Sequence, residues 1–432
     1  MNNNLARRYG PWTGLAIAAV AYFPRFAKDP TGVTLYPQAA DCLLHHQLIP
    51  HCALAFTYPP PFALLMIPFV PLPIWARDIL WYLVTWGALV VVWRGCESLA
   101  FRLCKGAWTE RELATFRVLS GLLSLKFILA VFENQAYDLL ALALIVAGLC
   151  AIANGRASGA VGLALAAAIK ATPLIFLPWL VITRRYMAAA AFVLVLALVS
   201  LLPDLLFAPA NAAHGHLFTW ASDVAGASLR NQTAPGNLAF WSGSNLLNHS
   251  LRGAVARIID ERADPALFKS VLYATWLVFA AALGGLLLKS PKRDGFTGID
   301  ASLLLIGMLM LSPMTSRSHY VALVLPFMML IALAIRNGAA RRYLAPILSA
   351  SFVLTTLSSN DLVGQRITDW SYFYSLMPLG TLVLMAGLGA YIWAQSAASL
   401  AAKATRPPRS ADAPDEQGRG GVIPDDAEKA AG

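Results

Sequence analysis

Charged side chains are scarce in this chain. Asp, Glu, Lys and Arg make up 13% of its 432 residues, whereas 58% are hydrophobic. A soluble domain carries about 25% charged residues, so this chain lacks the charge to cover a water-facing surface. Cysteine is also rare, with five residues, which excludes a disulfide-rich secreted module. Apolar runs recur from residue 12 to residue 394. The composition therefore excludes a soluble enzyme and a disordered chain, and it indicates an all-α polytopic membrane protein.

The apolar runs predict about twelve membrane spans, since a bilayer core of about 30 Å needs about 20 apolar residues per helix. The predicted spans are 11–27, 79–95, 115–132, 138–153, 157–170, 172–183, 187–206, 267–288, 299–313, 320–335, 343–357 and 372–395. Two of these, 157–170 and 172–183, are short and are interpreted as a tight hairpin with its tip at Lys170-Ala171-Thr172-Pro173. A further apolar stretch, 62–72, is rich in proline. We interpret it as a broken, half-inserted segment, because proline removes backbone donors that a lipid-exposed helix needs.

Basic residues predict the orientation. The formal net charge is +10, and the Lys and Arg residues cluster between apolar runs rather than on one helix with interleaved aromatics, which argues against nucleic-acid binding. With both termini in the cytoplasm, most clusters face inward and the long loops 28–78 and 207–266 face outward. The Ala/Leu/Arg-rich composition favours a bacterial inner membrane, with these loops in the periplasm. Residues 1–402 are expected to form one transmembrane domain, and residues 403–432 a disordered cytoplasmic tail.

Cofactor and metal signatures are missing from the sequence. No phosphate-cradling glycine loop is present, so direct use of ATP or a nucleotide sugar is not expected. The histidines lack an acidic or cysteine partner at metal-binding spacing. We therefore expect no cofactor, and a divalent metal held by acids of the outer cleft is not indicated.

Polar and aromatic residues recur in short motifs at the predicted outer ends of the spans. The first outer loop contains Tyr36-Pro37-Gln38-Ala39-Ala40 and Tyr58-Pro59-Pro60. Further motifs, in chain order, are Glu133-Asn134-Gln135-Ala136-Tyr137-Asp138, Lys170-Ala171-Thr172-Pro173, Arg230-Asn231-Gln232-Thr233 and Ser312-Pro313-Met314-Thr315-Ser316-Arg317-Ser318-His319-Tyr320.

This order of motifs resembles glycosyltransferase family 87, the GT-C membrane enzymes that depend on polyprenol-phosphate sugars. The resemblance extends over most of the chain to about residue 395, with Arg317 in place of an aromatic residue and Tyr320 in place of a second histidine. It implies a GT-C-like helical bundle with the active site on the periplasmic face. The substrate-binding residues that it implies are Tyr36, Tyr58, Pro59, Gln135, Asp138, Lys170, Arg230, Asn231, Gln232, Ser312, Arg317 and His319.

The catalytic base is the point at which this sequence departs from the family. The family's acid would fall at Gly32 or Val33, and neither side chain accepts a proton. The remaining candidates are Asp29, Asp41 and Glu133, since sugar transfer onto a hydroxyl needs a carboxylate to take the proton.

Simpler structural roles stand beside these assignments. Lys170 could extend toward the membrane surface, although charge within a membrane is costly and usually functional. Pro59 could serve only to break a helix, and Glu133 or Asp138 could only stabilise a helix N-terminus. Cys42 and Cys52 share the outer loop, and an oxidising periplasm would let them form a disulfide.

The resemblance thus implies a hexosyltransferase that moves a sugar, mannose or a related hexose, from a polyprenyl-phosphate donor to a lipid-linked or glycolipid acceptor. Membrane lipids are its expected partners, and nucleic acid is not. Two alternatives remain open at this point: a secondary transporter, and a polysaccharide polymerase or ligase. The sequence shows no half-to-half repeat of the kind that transporters carry.

Overall fold

The structure, a computed structural model, describes residues 20–210, 212–227, 245–291, 294–356 and 359–404. Within these ranges every regular element is a helix, and no strand occurs. The prediction of an all-α protein is therefore confirmed.

The helices follow one another with short connections. Residues 20–26 are helical, and the first half of the chain continues with α1 (Thr31–Leu44), α2 (Ile49–Cys52), α3 (Pro60–Leu65), α4 (Ile74–Leu103), α5 (Glu110–Glu133), α6 (Asp138–Ala153), α7 (Gly159–Lys170), α8 (Phe176–Ile182) and α9 (Tyr186–Leu206). The second half contains α10 (His216–Thr219), α11 (Leu251–Ile258), α12 (Pro265–Lys289), α13 (Thr297–Leu311), α14 (Val324–Arg336), α15 (Gly338–Thr356), α16 (Asn360–Phe373) and α17 (Leu376–Ala404). Short 3₁₀-helices lie at Ile67–Phe69, Thr172–Ile175, Asp294–Phe296 and Ser318–Leu323, and a π-helix lies at Trp220–Gly226.

Six helices of the described chain are long and apolar enough to cross a membrane. They are Ile74–Leu103, Glu110–Glu133, Tyr186–Leu206, Pro265–Lys289, Ser318–Arg336 and Leu376–Ala397. Four shorter apolar helices, Asp138–Ala153, Gly159–Lys170, Thr172–Ile182 and Thr297–Leu311, coincide with further predicted spans. Of the remaining two, 11–27 begins outside the described residues, and 343–357 falls on α15, which carries Arg341 and Arg342 in its first turns. The chain is thus a multi-pass membrane protein, and the count of twelve spans stays a prediction.

The bundle has a clear centre and rim. In the span Ser318–Arg336, 83% of the most apolar 18-residue stretch is buried within the protein. Helix α13 beside it is buried along nearly its whole length. The corresponding share for α9 is 17%, and for α12 it is 22%. Apolar side chains that are not covered by protein in such helices must face lipid. The core therefore lies around α13 and α14, with α9 and α12 on the outside.

Helices α6 and α7 approach each other closely through glycine. A Cβ atom added at Gly148 would lie 2.5 Å from the carbonyl oxygen of Gly159, and one added at Gly159 would lie 2.3 Å from that of Gly148. Small residues allow two helix backbones to meet in this way within a membrane. Because only the short turn 154–158 joins the two antiparallel helices, the first residue of α6 and the last residue of α7 lie at the same end of the pair.

The chain turns where the sequence predicted, although the predicted hairpin is not a pair of packed helices. Helix α7 ends at Lys170, Ala171 adopts a positive φ of 54°, and the 3₁₀ turn Thr172–Ile175 leads into α8. The main packing partners of α7 are α6 and α9 rather than α8. The short α8 instead continues the path toward α9.

The first outer loop is folded rather than open. Its helix α1 buries Val33, Ala39, Ala40 and Leu43 against the bundle. The proline-rich stretch 62–72 is broken, as predicted, into α3 and the 3₁₀ turn Ile67–Phe69. The predicted disulfide is present: Cys42 near the end of α1 is bonded to Cys52 at the end of α2, with Cα atoms 6.1 Å apart.

Candidate functional site

A buried cluster of charged side chains lies where α6 begins and α7 ends. Asp138 is the first residue of α6, and its Oδ1 accepts a contact from the Nζ of Lys170, the last residue of α7. The Nε2 of His319 lies 3.6 Å from the same oxygen. The exposed fractions of these side chains are 4% for Asp138, 12% for Lys170 and 18% for His319. Ionised groups this well buried are stable only when they are paired, so the three residues form one electrostatic unit.

The imidazole of His319 has a defined orientation. Its Nδ1 accepts a hydrogen bond from the backbone N–H of Ser316 at 2.9 Å. A neutral imidazole with an acceptor Nδ1 carries its proton on Nε2, which is the nitrogen that faces Asp138. The side chain of Ser318 forms a further hydrogen bond with Asp138. The Asp138 carboxylate thus has several hydrogen-bond donors around it. It also lies at the N-terminal end of α6, which favours negative charge.

An aromatic wall adjoins this cluster and consists of Tyr36, Tyr58, Phe62 and Tyr137. The ring centroids of Tyr58 and Tyr137 are 4.6 Å apart, as are those of Phe62 and Tyr137, and Tyr36 lies 4.9 Å from Phe62. The Lys170 Nζ lies 5.1 Å from the centre of the Tyr137 ring, within range of a cation–π contact. The wall therefore joins α1 and α3 of the first outer loop to the start of α6.

The phenols of the wall remain protonated at neutral pH. Tyr36 and Tyr58 share a hydrogen bond. Burial above all, and then the negative charge of Asp138, raise the pKa of the Tyr58 phenol above its ordinary value. Burial likewise raises the pKa of Tyr36, followed by the effects of Tyr58 and Asp138. Neutral phenols of this kind can donate hydrogen bonds to sugar hydroxyls and stack apolar sugar faces.

Gln135 holds this end of the bundle together and was expected to bind substrate. Its Nε2 donates to the carbonyl of Phe26 and to Oδ1 of Asp78, both at 3.0 Å, and its Oε1 accepts from the backbone N–H of Val33 at 3.1 Å. Its backbone carbonyl accepts from the Trp81 indole at 2.9 Å. The side chain is completely buried. Gln135 therefore positions the turn before Asp138 through these hydrogen bonds, and its role in substrate binding stays a prediction.

The positions at which the family's acid was expected are closed by the same turn. A Cβ atom added at Gly32 would lie 2.5 Å from the Gln135 carbonyl oxygen and 2.8 Å from its Cβ. Val33 is completely buried, and its backbone N–H is bonded to Gln135. A side chain larger than hydrogen does not fit at Gly32, and an acid at Val33 would be enclosed in the core.

The three acids considered as catalytic bases make no contact with the cluster within the described residues. Asp29 is exposed and accepts a hydrogen bond from its neighbour Thr31 at 2.9 Å. Asp41 is half exposed and lies 3.4 Å from His45. Glu133 pairs with Arg25 at 2.7 Å and accepts from Tyr22 at 3.3 Å. The geometry therefore favours Asp138 over these acids as the carboxylate at the site.

The remaining expected residues fall into three groups. Tyr36, Tyr58, Asp138, Lys170 and His319 meet at the cluster and its wall, as described above. Pro59 precedes α3 and is buried, and the Ser312 hydroxyl bonds the backbone of Met314, so both have local structural roles. Arg317 donates a hydrogen bond to the phenol of Tyr372. The third group, Arg230, Asn231 and Gln232, lies outside the described residues.

Three contributors were not foreseen from the sequence, namely Phe62, Tyr137 and Ser318. Tyr137 and Ser318 stand inside quoted motifs, each directly before a selected residue, Asp138 and His319. For Tyr137, the signal in the sequence was a tyrosine next to an acid at the predicted start of a helix. Among the described residues no group of three or more His, Cys, Asp or Glu is placed to hold a metal ion, and the absence of a metal cofactor stays a prediction.

Comparison with known proteins identifies the family. The family model of glycosyltransferase family 87 matches residues 56–313. No curated protein and no solved structure matches the chain. The matched range is more than half of the chain. It includes Tyr58 and Tyr137 of the aromatic wall and the buried ion pair of Asp138 and Lys170. The chain therefore belongs to glycosyltransferase family 87, and it is a multi-pass membrane glycosyltransferase.

Proposed function

We propose that this protein transfers a hexose, mannose or a related sugar, from a polyprenyl-phosphate-linked donor to a lipid-linked or glycolipid acceptor. The observation that carries the proposal is the buried Asp138–Lys170–His319 cluster beside the aromatic wall. A cation, a carboxylate and neutral phenols at one place are the groups that sugar transfer from a lipid phosphate requires. The family assignment supports a glycosyltransferase, and the buried cation of the cluster supports a donor with a phosphate leaving group.

Lys170 suits the leaving group of this reaction. As the hydroxyl oxygen of the acceptor bonds to the anomeric carbon, the bond from that carbon to the phosphate oxygen breaks. The phosphate leaves with the electron pair, so negative charge develops on its oxygen. A buried ammonium group stabilises such charge more strongly than an exposed one, because the surroundings are poorly polarisable. Lys170 is 12% exposed and lies at the wall.

Asp138 is proposed as the acceptor of the hydroxyl proton. It is the carboxylate that contacts the cluster, and its place at the start of α6 holds it beside Tyr137. When the donor phosphate binds Lys170, the contact between Lys170 and Asp138 is released. Asp138 then accepts a hydrogen bond from the acceptor hydroxyl and receives the proton of that hydroxyl. His319, with its Nε2–H toward Asp138, keeps the carboxylate oriented through the exchange. General-base catalysis of this kind contributes about 10²–10⁴-fold to a rate.

The proposed orientation places the cluster at the periplasmic face of a bacterial inner membrane, with both termini in the cytoplasm. Its support is the distribution of Lys and Arg along the sequence. The Cys42–Cys52 disulfide is consistent with this orientation, because disulfides persist in the periplasm and are rare in the cytosol.

A transfer assay with matched variants tests the proposal. Purified protein in lipid nanodiscs is incubated with a radiolabelled polyprenyl-phosphate hexose and a total lipid extract, and labelled product is counted. We expect transfer by the wild type and by Asp41→Asn, and a loss of at least about 100-fold in Asp138→Asn. The Asp41 variant makes the same change in an exposed acid, so it controls for the substitution itself. Full activity of Asp138→Asn would remove this residue from the reaction, and no transfer from any polyprenyl-phosphate sugar would contradict the donor class.

A further inference from the structure

An apolar groove lies between two spans of the bundle, away from the Asp138 cluster. It is formed by α12 and α17 and has a volume of about 810 Å³. Small side chains, among them Ala282, Ala386 and Ala390, leave its floor open, and the lining side chains are aliphatic or aromatic apart from Thr275. Helix α12 is one of the least covered helices, so the groove opens toward lipid.

The length of the groove matches one leaflet of a membrane. Along α12 the lining runs from Val271 to Leu286, and along α17 from Leu382 to Trp393. At 1.5 Å per residue these stretches measure about 22 Å and about 16 Å. Half of a bilayer core of about 30 Å is about 15 Å. An acyl chain of one leaflet therefore spans nearly all of the α17 stretch and about two thirds of the α12 stretch.

Unusual polar groups lie close in the chain to Leu251, a lining residue of the groove. Leu251 follows His249 and Ser250. The His249 ring is completely buried, and both of its nitrogens lack a hydrogen-bond partner among the described residues. The ring packs 4.6 Å from Tyr372 and 6.3 Å from Tyr320, whose hydroxyl donates to the His249 carbonyl at 2.6 Å. Buried polar atoms without partners are rare in proteins and call for an explanation.

The surroundings of His249 are cationic. Burial, and then the positive charges of Arg257, Lys126 and Arg317, lower the pKa of His249 well below its ordinary value, so the ring is neutral. Arg257 donates to Ser375 at 2.8 Å and to the Asn248 carbonyl at 3.1 Å, and Arg317 donates to Tyr372. These partners are neutral, and among the described residues no carboxylate forms an ion pair with either guanidinium group.

An acid near Tyr372, Asp369, has a hydrogen-bond partner of its own. Asp369, one helical turn before Tyr372, accepts a hydrogen bond from Gln365 at 2.7 Å. An anion placed beside Arg257 and Arg317 would therefore meet an excess of positive charge. Phosphate is the anion whose geometry guanidinium groups match best.

We infer that the groove binds an anionic membrane phospholipid, with its phosphate beside Arg257, Arg317 and His249 and one acyl chain between α12 and α17. The positive charge around His249 and the apolar length of the groove select a phospholipid over a soluble anion or a neutral lipid. Arg317 is joined through Ser318 to His319, so the bound headgroup lies next to the residues that hold Asp138. We expect the enzyme to need anionic lipid for full turnover.

Lipid binding can be measured directly. The purified protein in detergent is titrated with dioleoyl phosphatidylglycerol or dioleoyl phosphatidylcholine, and bound lipid is counted by native mass spectrometry. We expect phosphatidylglycerol to bind at least about tenfold more tightly, and this preference to disappear in Arg317→Gln, because the excess positive charge that favours a net anionic over a zwitterionic headgroup is reduced. Arg341→Gln, an exposed arginine on α15, is the matched control and keeps the preference.

The groove itself is tested with two adjacent alanines. Ala282 lines the groove, whereas Ala281 is exposed on the same helix and does not. Ala282→Phe should weaken phosphatidylglycerol binding, and Ala281→Phe should leave it unchanged. If Ala282→Phe does not fold, Ala386→Phe blocks the same groove from α17. Equal affinity for the two lipids, or equal effects of the two phenylalanines, would mean bulk lipid only and would overturn the inference.

Activity separates this inference from the proposed function. In nanodiscs of phosphatidylcholine alone, turnover should fall and be restored by added phosphatidylglycerol, while the KM for the donor stays the same. Selective binding without any sugar transfer would contradict the proposed function and leave the lipid site standing. Labelled sugar on phosphatidylglycerol itself would show that the lipid is an acceptor and overturn the assignment as a resident lipid.

Discussion

Breaking the buried ion pair should affect stability in a way that an exposed pair does not. Lys170 and Asp138 are 12% and 4% exposed. Removing one partner of a buried pair costs about 3–5 kcal/mol, because the other charge stays behind uncompensated. In Lys170→Met, the remaining carboxylate keeps His319 at 3.6 Å. In Asp138→Asn, the remaining ammonium keeps the Tyr137 ring at 5.1 Å. Both residual contacts place the single substitutions near the lower value, about 3 kcal/mol.

The double variant carries the decisive information. Asp138→Asn with Lys170→Met removes both charges at similar volume, and replacing a buried pair by neutral groups is often close to neutral. The sum of the single costs is then about 6 kcal/mol, whereas we expect the double variant to cost less than about 2 kcal/mol. The double variant should nevertheless remain inactive, since both reacting groups are gone.

The measurement is the free energy of unfolding of purified protein, from titration with SDS in mixed micelles. Arg117 and Glu97 form the control pair: their side chains are 51% and 14% exposed and 2.7 Å apart. Arg117→Met should cost less than about 1 kcal/mol, as expected for an exposed ion pair. Additivity of the two single changes within about 0.5 kcal/mol, or a Lys170→Met cost as small as that of Arg117→Met, would refute the electrostatic reasoning.

Three further predictions concern the frame of the site. Reduction of the Cys42–Cys52 disulfide, or the substitution Cys42→Ser, should lower the free energy of unfolding by about 2–3 kcal/mol. Reductant should have no further effect on the serine variant. Alkylation of both cysteines without prior reduction would show that no disulfide exists. Gly32→Ala should destabilise the protein by about 1–3 kcal/mol and slow transfer, because its Cβ meets the Gln135 carbonyl. Gly87→Ala, with nothing within 4 Å, should be neutral or stabilising, and the same loss in both would exclude a local clash. Alkaline phosphatase fused after Gly106 should be inactive and after Gly236 active, and activity at Gly106 would reverse the proposed orientation.

The helices were largely readable from the sequence. Apolar runs and their polar ends predicted α6 as 138–153 and α9 as 187–206, within a residue of the observed Asp138–Ala153 and Tyr186–Leu206. Prolines predicted the break in 62–72. These features depend on local chemistry, namely hydropathy, helix length and missing backbone donors.

The choice of carboxylate could not be read in the same way. Asp138 reaches His319 only because α6 packs near the turn before α14, and Gly32 is closed only because Gln135 presses against it. Both features depend on contacts between residues that are distant in sequence, and a local sequence pattern does not predict such contacts. Distance along the chain from Tyr36 therefore ranked Asp29 and Asp41 as candidates, although the fold brings a different acid to the wall. Gln135 illustrates the same limit, since a polar residue in a motif serves a ligand or the scaffold depending on its neighbours.

The shortness of α6 and α7 has a consequence for how substrates reach the site. With 16 and 12 residues, the two helices measure about 24 Å and about 18 Å, less than a hydrocarbon core of about 30 Å. A pair that starts at one membrane surface therefore ends inside the core, and Asp138 and Lys170 lie below the opposite headgroups. On the proposed donor, the lipid phosphate would sink by about 6–12 Å to meet the Asp138–Lys170 pair, and the donor's chain could stay in the bilayer throughout. Water, by contrast, is scarce at this depth because the surroundings are apolar. Transfer of the sugar to an acceptor hydroxyl should therefore be faster than hydrolysis of the donor.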